Sequence, residues 1–180
     1  MPDSDLAQLA RDVDARCRLR GQFTLRSGKV SSEYFDKYLF ESDPVLLRRV
    51  VQQMAVLVPA GTDLLGGLEL GGVPLATLLS GVTGMPALFV RKEAKTYGTC
   101  RLAEGADPAG RTVLLVEDVI TTGGAVRNAA RALRASGATV TSVLCAIDRS
   151  APGENALGAE GVTVRSVLTK DLLDSVTSGG

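Results

Sequence analysis

Apolar positions along this chain follow two rhythms. Leu6, Leu9, Ala10, Val13 and Cys17 recur at helical spacing behind Ser4, a residue suited to cap a helix. Leu46, Leu47, Val50, Val51, Met54 and Val58 do the same behind Pro44, which fits a first helical position with Ser42 or Asp43 as cap. Between them, Phe23 and Leu25 alternate with polar residues and predict a strand before a turn at Ser27-Gly28. Four short apolar runs follow: Leu64-Leu65-Gly66, Pro86 to Val90, Val113 to Val116, and Val140 to Ile147. Such runs, bounded by charge or glycine, predict strands buried on both faces, as in a parallel sheet. The first leads through a glycine turn into a helix predicted over 74–79. The third leads into a helix with Val126, Ala129, Ala130 and Leu133 on one face, stopped at Gly137. Val162 to Val167 alternates like a half-exposed strand, and Lys170 to Val176 predicts a last short helix. The stretch from Glu93 to Gly110 is polar, glycine-bearing and without period. It is long for a plain connector, and long loops of this kind often serve as lids.

Strands alternating with helices predict α/β architecture with a mostly parallel sheet. Polar or glycine-rich clusters follow four of the strands, at Gly67, Arg91, Glu117 and Asp148. In open parallel sheets the ligand crevice lies at the strands' carboxyl ends, so these clusters should converge on one edge. A chain of 180 residues is most simply one domain, spanning 1–180. Twenty basic residues balance twenty acidic ones, which gives no global pull toward nucleic acid. The three cysteines are scattered and histidine is absent, which excludes Ser-His-Asp and Cys-His catalysis and argues against a zinc site or a disulfide framework. The acidic N-terminus does not read as a signal peptide, and no apolar run reaches the roughly 18 residues of a membrane span. The expectation is a soluble, cytoplasmic protein.

The most informative stretch is Val116-Glu117-Asp118-Val119-Ile120-Thr121-Thr122-Gly123-Gly124-Ala125. Two carboxylates stand at the end of a buried strand. A hydroxyl- and glycine-rich turn then opens a helix, offering unpaired N–H groups to an anion. The acids would repel a phosphate, so they should face hydroxyls or a metal. A sugar phosphate meets both demands. The stretch is neither a Walker loop nor Gly-x-Gly-x-x-Gly.

These residues resemble the phosphoribosyl pyrophosphate (PRPP) signature of the type I phosphoribosyltransferases. The resemblance implies a Rossmann-like α/β fold with helices on both faces of the sheet and a small hood from about residues 1–40. It places the acids on the ribose 2- and 3-hydroxyls and the turn, 119–125, on the 5-phosphate. Arg91-Lys92-Glu93-Ala94-Lys95-Thr96-Tyr97 narrows the likeness to the orotate phosphoribosyltransferases, where an Arg-Lys-x-x-Lys segment begins a mobile catalytic loop, here about 95–110. By that likeness Arg91, Lys92 and Lys95 contact pyrophosphate, with Lys95, Glu117 and Asp118 as the catalytic groups. Tyr97 stands where many members have histidine. Gly71, after Leu70, stands where many have lysine, so that pyrophosphate contact would be backbone only. Arg26, in Phe23-Thr24-Leu25-Arg26-Ser27-Gly28, matches a cation that touches PRPP. Tyr34, Phe35, Thr121 and Arg149 match the surroundings of orotate. The implied reaction joins orotate to the 5-phosphoribosyl group of PRPP and releases pyrophosphate. Magnesium is implied as cofactor, held mainly through PRPP rather than by direct protein ligands. A homodimer sharing the loop across its interface is implied as well. A purine phosphoribosyltransferase, or a regulatory RNA- or DNA-binding protein on the same scaffold, are the rival readings. The basic loop segment and Arg149 argue against the first, and the balanced charge and short length against the second.

Overall fold

A computed structural model describes residues 4–25, 27–94, 102–151 and 157–177. Helix α1 (Ser4–Cys17) buries the predicted face of Leu9, Ala10, Val13 and Cys17. Strands β1 (Arg18–Thr24) and β2 (Val30–Phe35) form an antiparallel hairpin around the Ser27-Gly28 turn. The hairpin begins earlier than the alternation of Phe23 and Leu25 suggests, directly at the end of α1. Arg18 fixes this junction: its guanidinium reaches Asp14 at 2.9 Å, Glu33 at 3.1 Å and Asp174 at 3.3 Å. A four-residue helix α2 (Tyr38–Glu41) leads to α3 (Pro44–Leu57). Asp43 caps α3, accepting from the amides of Val45 and Leu46. Capping by an aspartate and proline at the first turn are the two signals that made this start legible.

The remaining elements are β3 (Leu64–Leu68), α4 (Gly72–Thr83), β4 (Ala87–Val90), β5 (Ala103–Gly105), β6 (Thr112–Ile120), α5 (Gly124–Ala135), β7 (Thr139–Asp148), β8 (Thr163–Thr169) and α6 (Lys170–Thr177). The central sheet runs β5-β4-β3-β6-β7-β8 and is parallel except for β5. Chain order reverses between β3 and β6. From β3 the chain moves outward through α4 to β4; from β6 it moves the other way through α5 to β7. Right-handed crossovers in opposite directions put the two helices on opposite faces. Leu64 and Leu65 accordingly point to different cores. Leu65, Leu114 and Val116 pack with α1, α3 and α4, whereas Leu64, Val113 and Leu115 pack with the α5 face of Val126, Ala129, Ala130 and Leu133.

Two differences from the sequence expectation stand out. Helix α4 runs to Thr83, not Leu79, closing on Gly84. The aperiodic stretch before Gly110 contains β5, paired antiparallel with β4, and Leu102, Ala103 and Ala106 pack against the second core. The amide of Arg91 donates to the Leu102 carbonyl at 2.8 Å. The expected loop, 95–110, therefore shares its last part with the sheet, while residues 95–101 lie outside the described residues.

Candidate functional site

The reversal of strand order leaves a crevice between the ends of β3 and β6, the usual ligand position in such sheets. β3 pairs with β6 only as far as Gly67 and Val116, whereas β6 continues beside β7 to Ile120. Glu117 and Asp118 thus sit on the part of β6 that overhangs β3. That overhang explains how a buried strand carries two acids: the space beside them is crevice rather than another strand.

The loop after β3 fills part of that space. The Glu69–Leu70 peptide is cis. Gly71 and Gly72 lie against the end of β6: a Cβ on Gly71 would stand 1.7 Å from Asp118 Oδ2, and one on Gly72 would stand 2.3 Å from the Val116 carbonyl oxygen. Glycine here is a requirement of close approach, not of backbone angle, since Gly71 has φ −66°. On the far side of the acids, Gly123 begins α5 with φ 72°, a left-handed conformation that glycine adopts without strain. The first-turn N–H groups of α5 have no partner within the helix, and their positive end faces the cleft. The cleft measures about 350 Å³ and is lined by Lys37, Tyr38, Glu69, Leu70, Gly71, Lys92 and residues 117–126.

The electrostatics centre on Asp118, whose side chain is 1% exposed. Its Oδ1 accepts the Val119 amide at 2.6 Å, and Lys37 Nζ lies 2.5 Å from Oδ2. Burial works against charge on Asp118. The Lys37 ammonium, the Glu117 carboxyl and the Val119 amide outweigh it and hold Asp118 below the ordinary carboxylate range. Glu117 goes the other way: burial and the Asp118 charge push it up to about 9. Glu41, on α2, is likewise pushed up to about 8, by burial first and Asp118 second. Three carboxyls packed together cannot all ionise, so the negative charge settles on the one with a cation.

The sequence-predicted residues divide as follows. Glu117, Asp118, Val119, Ile120, Thr121, Thr122, Gly123, Gly124, Ala125, Leu70, Gly71 and Lys92 all border the cleft. Arg91 borders an adjoining apolar pocket of about 200 Å³ that shares Glu69, Lys92 and Ala125 with it. The Lys92 amide donates to Glu69 Oε2 at 2.9 Å, tying the end of β4 to the glycine loop. Phe35 and Arg149 meet, with the guanidinium 5.1 Å from the ring centroid. Tyr34 does not join them. Successive strand residues face opposite ways, and Tyr34 stacks at 5.6 Å on Phe23 instead. Of the two aromatic residues expected at the base, Phe35 is thus the one that stands beside Arg149, and Tyr34 lies against Phe23. Arg26, Lys95 and Tyr97 lie outside the described residues. Sequence reasoning missed Lys37 and Glu41. Their only signal was a cation and an acid four residues apart, flanking Tyr38-Leu39-Phe40 before Pro44, on one face if that segment is helical.

Comparison with known proteins places the chain among relatives of one family. Residues 48–158 match the family model of the phosphoribosyl transferase domain. An orotate phosphoribosyltransferase of a Nocardioides species is 67% identical over 174 residues, covering 97% of each chain. One from Methanocella arvoryzae is 45% identical, covering 92% of this chain and 94% of its own. Among solved structures, Mycobacterium tuberculosis orotate phosphoribosyltransferase in complex with PRPP superposes with a TM-score of 0.80 at 32% identity, covering 94% of this chain and 99% of that one.

Proposed function

Because this chain belongs to the phosphoribosyltransferase family, among the orotate phosphoribosyltransferases, we propose that it transfers the 5-phosphoribosyl group of PRPP to orotate, forming orotidine 5-phosphate and pyrophosphate in pyrimidine nucleotide synthesis. The observation that carries this reading is the pairing, at the sheet's reversal point, of an acidic pair with an open helix N-terminus. The amides of 121–125 take the 5-phosphate. Glu117 and Asp118 take the ribose hydroxyls, one carboxyl protonated and able to donate, the other ionised and able to accept.

The bond between ribose C1 and the pyrophosphate oxygen breaks as positive charge develops on the ring, and an orotate ring nitrogen bonds to C1 as its N–H proton is lost to solvent or to the departing pyrophosphate. No protein nucleophile is needed. The ionised Asp118 favours the developing cation, and Lys92, Arg91 and Lys95 favour the departing anion. Orotate presents its carboxylate to Arg149, whose planar fork matches it bidentately, with Phe35 holding the guanidinium plane. The acids are engaged with Lys37 and backbone amides, a setting that suits hydroxyls. Magnesium brought in with PRPP would supply charge neutralisation to the pyrophosphate, and the cleft's own acids would not need to hold it directly.

The same reading includes a homodimer in which the segment around Lys95 serves the neighbouring site, and a cytoplasmic location. Its support is the family likeness of the Arg91–Lys95 segment, and, among the described residues, no helix is long and apolar enough to cross a membrane. The function is tested by pyrophosphate release from PRPP with orotate, uracil, adenine or hypoxanthine. Release with orotate alone is expected. Release with a purine and not with orotate refutes the proposal.

A further inference from the structure

Lys37 is the one cation on a cluster of three carboxyls among the described residues, and its ammonium lies 2.5 Å from Asp118 Oδ2. Asp118 Oδ1 is held by the Val119 amide, Oδ2 by Lys37 Nζ, and the carboxylate is otherwise shut beneath the backbone of Gly71. Of these covers, the lysine is the one that can swing away. Its side chain is 34% exposed and carries its charge on a flexible stem beside the Tyr38 ring, 5.4 Å from the centroid. Glu41, one turn along α2, belongs to the same cluster and has a buried, unpartnered Oε1, and Asp118 Oδ2 meets Lys37 as an ion pair without a directed hydrogen bond.

We propose that Lys37 is a positioning residue for the sugar of the donor: its ammonium holds Asp118 Oδ2 in place and yields that oxygen to a ribose hydroxyl as the sugar phosphate enters. This rests on the reading that Glu117 and Asp118 hold ribose. The groups facing Asp118 are Lys37, which precedes α2, Glu41 at the end of α2, and Glu117 from β6. Asp36 bears on Glu41 and Tyr38 on Lys37, and the buried thiol of Cys145 lies behind on β7. Without Lys37 no cation in this set opposes burial, and Asp118 takes up a proton as Glu117 and Glu41 do. A protonated Asp118 no longer accepts the hydroxyl as an anion.

The test is the pH profile of kcat/KM for PRPP, which reports the free enzyme, in the full-length protein and in Lys37→Met and Lys37→Arg. In Lys37→Met the acid limb should move up by about one pH unit or more and the KM for PRPP should rise about tenfold, with the KM for orotate unchanged. Lys37→Arg should keep the original limb. An unmoved acid limb in Lys37→Met, or equal rises in both KM values without a limb shift, overturns the proposal. Asp118→Asn separates the two readings: an unchanged KM for PRPP there removes the ribose assignment itself, and this proposal with it. Should Lys37→Met fail to fold, Lys37→Gln, whose polar end suits the half-exposed position, takes its place: the same rise of the acid limb and of the KM for PRPP is expected, and an unmoved limb overturns the proposal.

Discussion

Replacing Gly71 by alanine tests the packing at the centre of the site. The backbone there, φ −66° and ψ −27°, is ordinary for alanine. Its smaller unfolded-state entropy alone would favour the variant by about 0.4–1 kcal/mol. The added methyl, however, would lie 1.7 Å from Asp118 Oδ2, 2.4 Å from Cγ and 2.9 Å from Cβ. That is more than an ångström inside the closest contact such atoms make. Either the glycine loop lifts or Asp118 turns away. Asp118 cannot turn cheaply, because the Val119 amide and Lys37 grip its two oxygens at 2.6 and 2.5 Å. Losing one charge-assisted hydrogen bond costs about 1.5–3 kcal/mol. The net result should be a global stability within about 2 kcal/mol of the parent, in a chain whose donor site is nonetheless distorted. We expect the KM for PRPP to rise on the order of 10- to 100-fold, equivalent to about 1.4–2.8 kcal/mol, and the KM for orotate to stay within about twofold. Steady-state kinetics with each substrate varied, alongside urea unfolding, measure both. Gly81→Ala is the control: its Cβ meets nothing within 4 Å on α4, so it should stabilise by about 0.5–1 kcal/mol without kinetic effect. A Gly71→Ala enzyme with the parental KM for PRPP would refute the close-approach argument.

Three further outcomes follow from the same geometry. Arg149→Ala should raise the KM for orotate at least tenfold, on the order of 1.4 kcal/mol or more, and leave the KM for PRPP in place; an unchanged KM for orotate removes Arg149 from the base site. Lys95→Ala should lower kcat far more than it weakens PRPP binding, measured by single-turnover kinetics and equilibrium titration; equal losses would contradict a role in the transition state. Glu41, whose carboxyl is raised to about 8 by burial, keeps its proton in the folded chain at pH values where the unfolded chain has lost it. Stability should therefore fall as pH rises from about 4.5 toward 8. Glu41→Gln should flatten that fall, gaining on the order of a few kcal/mol at pH 8.5 and little at pH 4.5; chemical denaturation at both pH values with parallel curves for the two proteins would exclude it.

The sheet was legible where strands are buried on both faces, because Leu64-Leu65, Leu88-Phe89-Val90 and Val113 to Val116 had to be apolar to sit there. β5 was not legible. Ala103-Glu104-Gly105 has no strand-forming side chain, and its extended form is imposed by the open edge of β4. The end of α4 was hidden for a related reason: Gly81, Val82 and Thr83 are poor helix formers that follow the helix because Leu75, Ala76 and Leu79 anchor it. Within the site, the 117–125 turn announced itself because all its parts are contiguous. Lys37 could not, since its partner is Asp118, and nothing local marks so distant a pairing. Parity separated Tyr34 from Phe35, and it becomes decisive only once the register Arg18 to Phe35 and Leu19 to Tyr34 is known.

The bond from the Arg91 amide to the Leu102 carbonyl closes a ring of chain whose two feet stand side by side on β4 and β5. That closure is made by main-chain atoms alone, so it does not depend on which side chains stand at 91 and 102. Short of proline at 91, which has no N–H to give, substitution at either foot leaves the anchorage of the chain on the sheet's edge as it was.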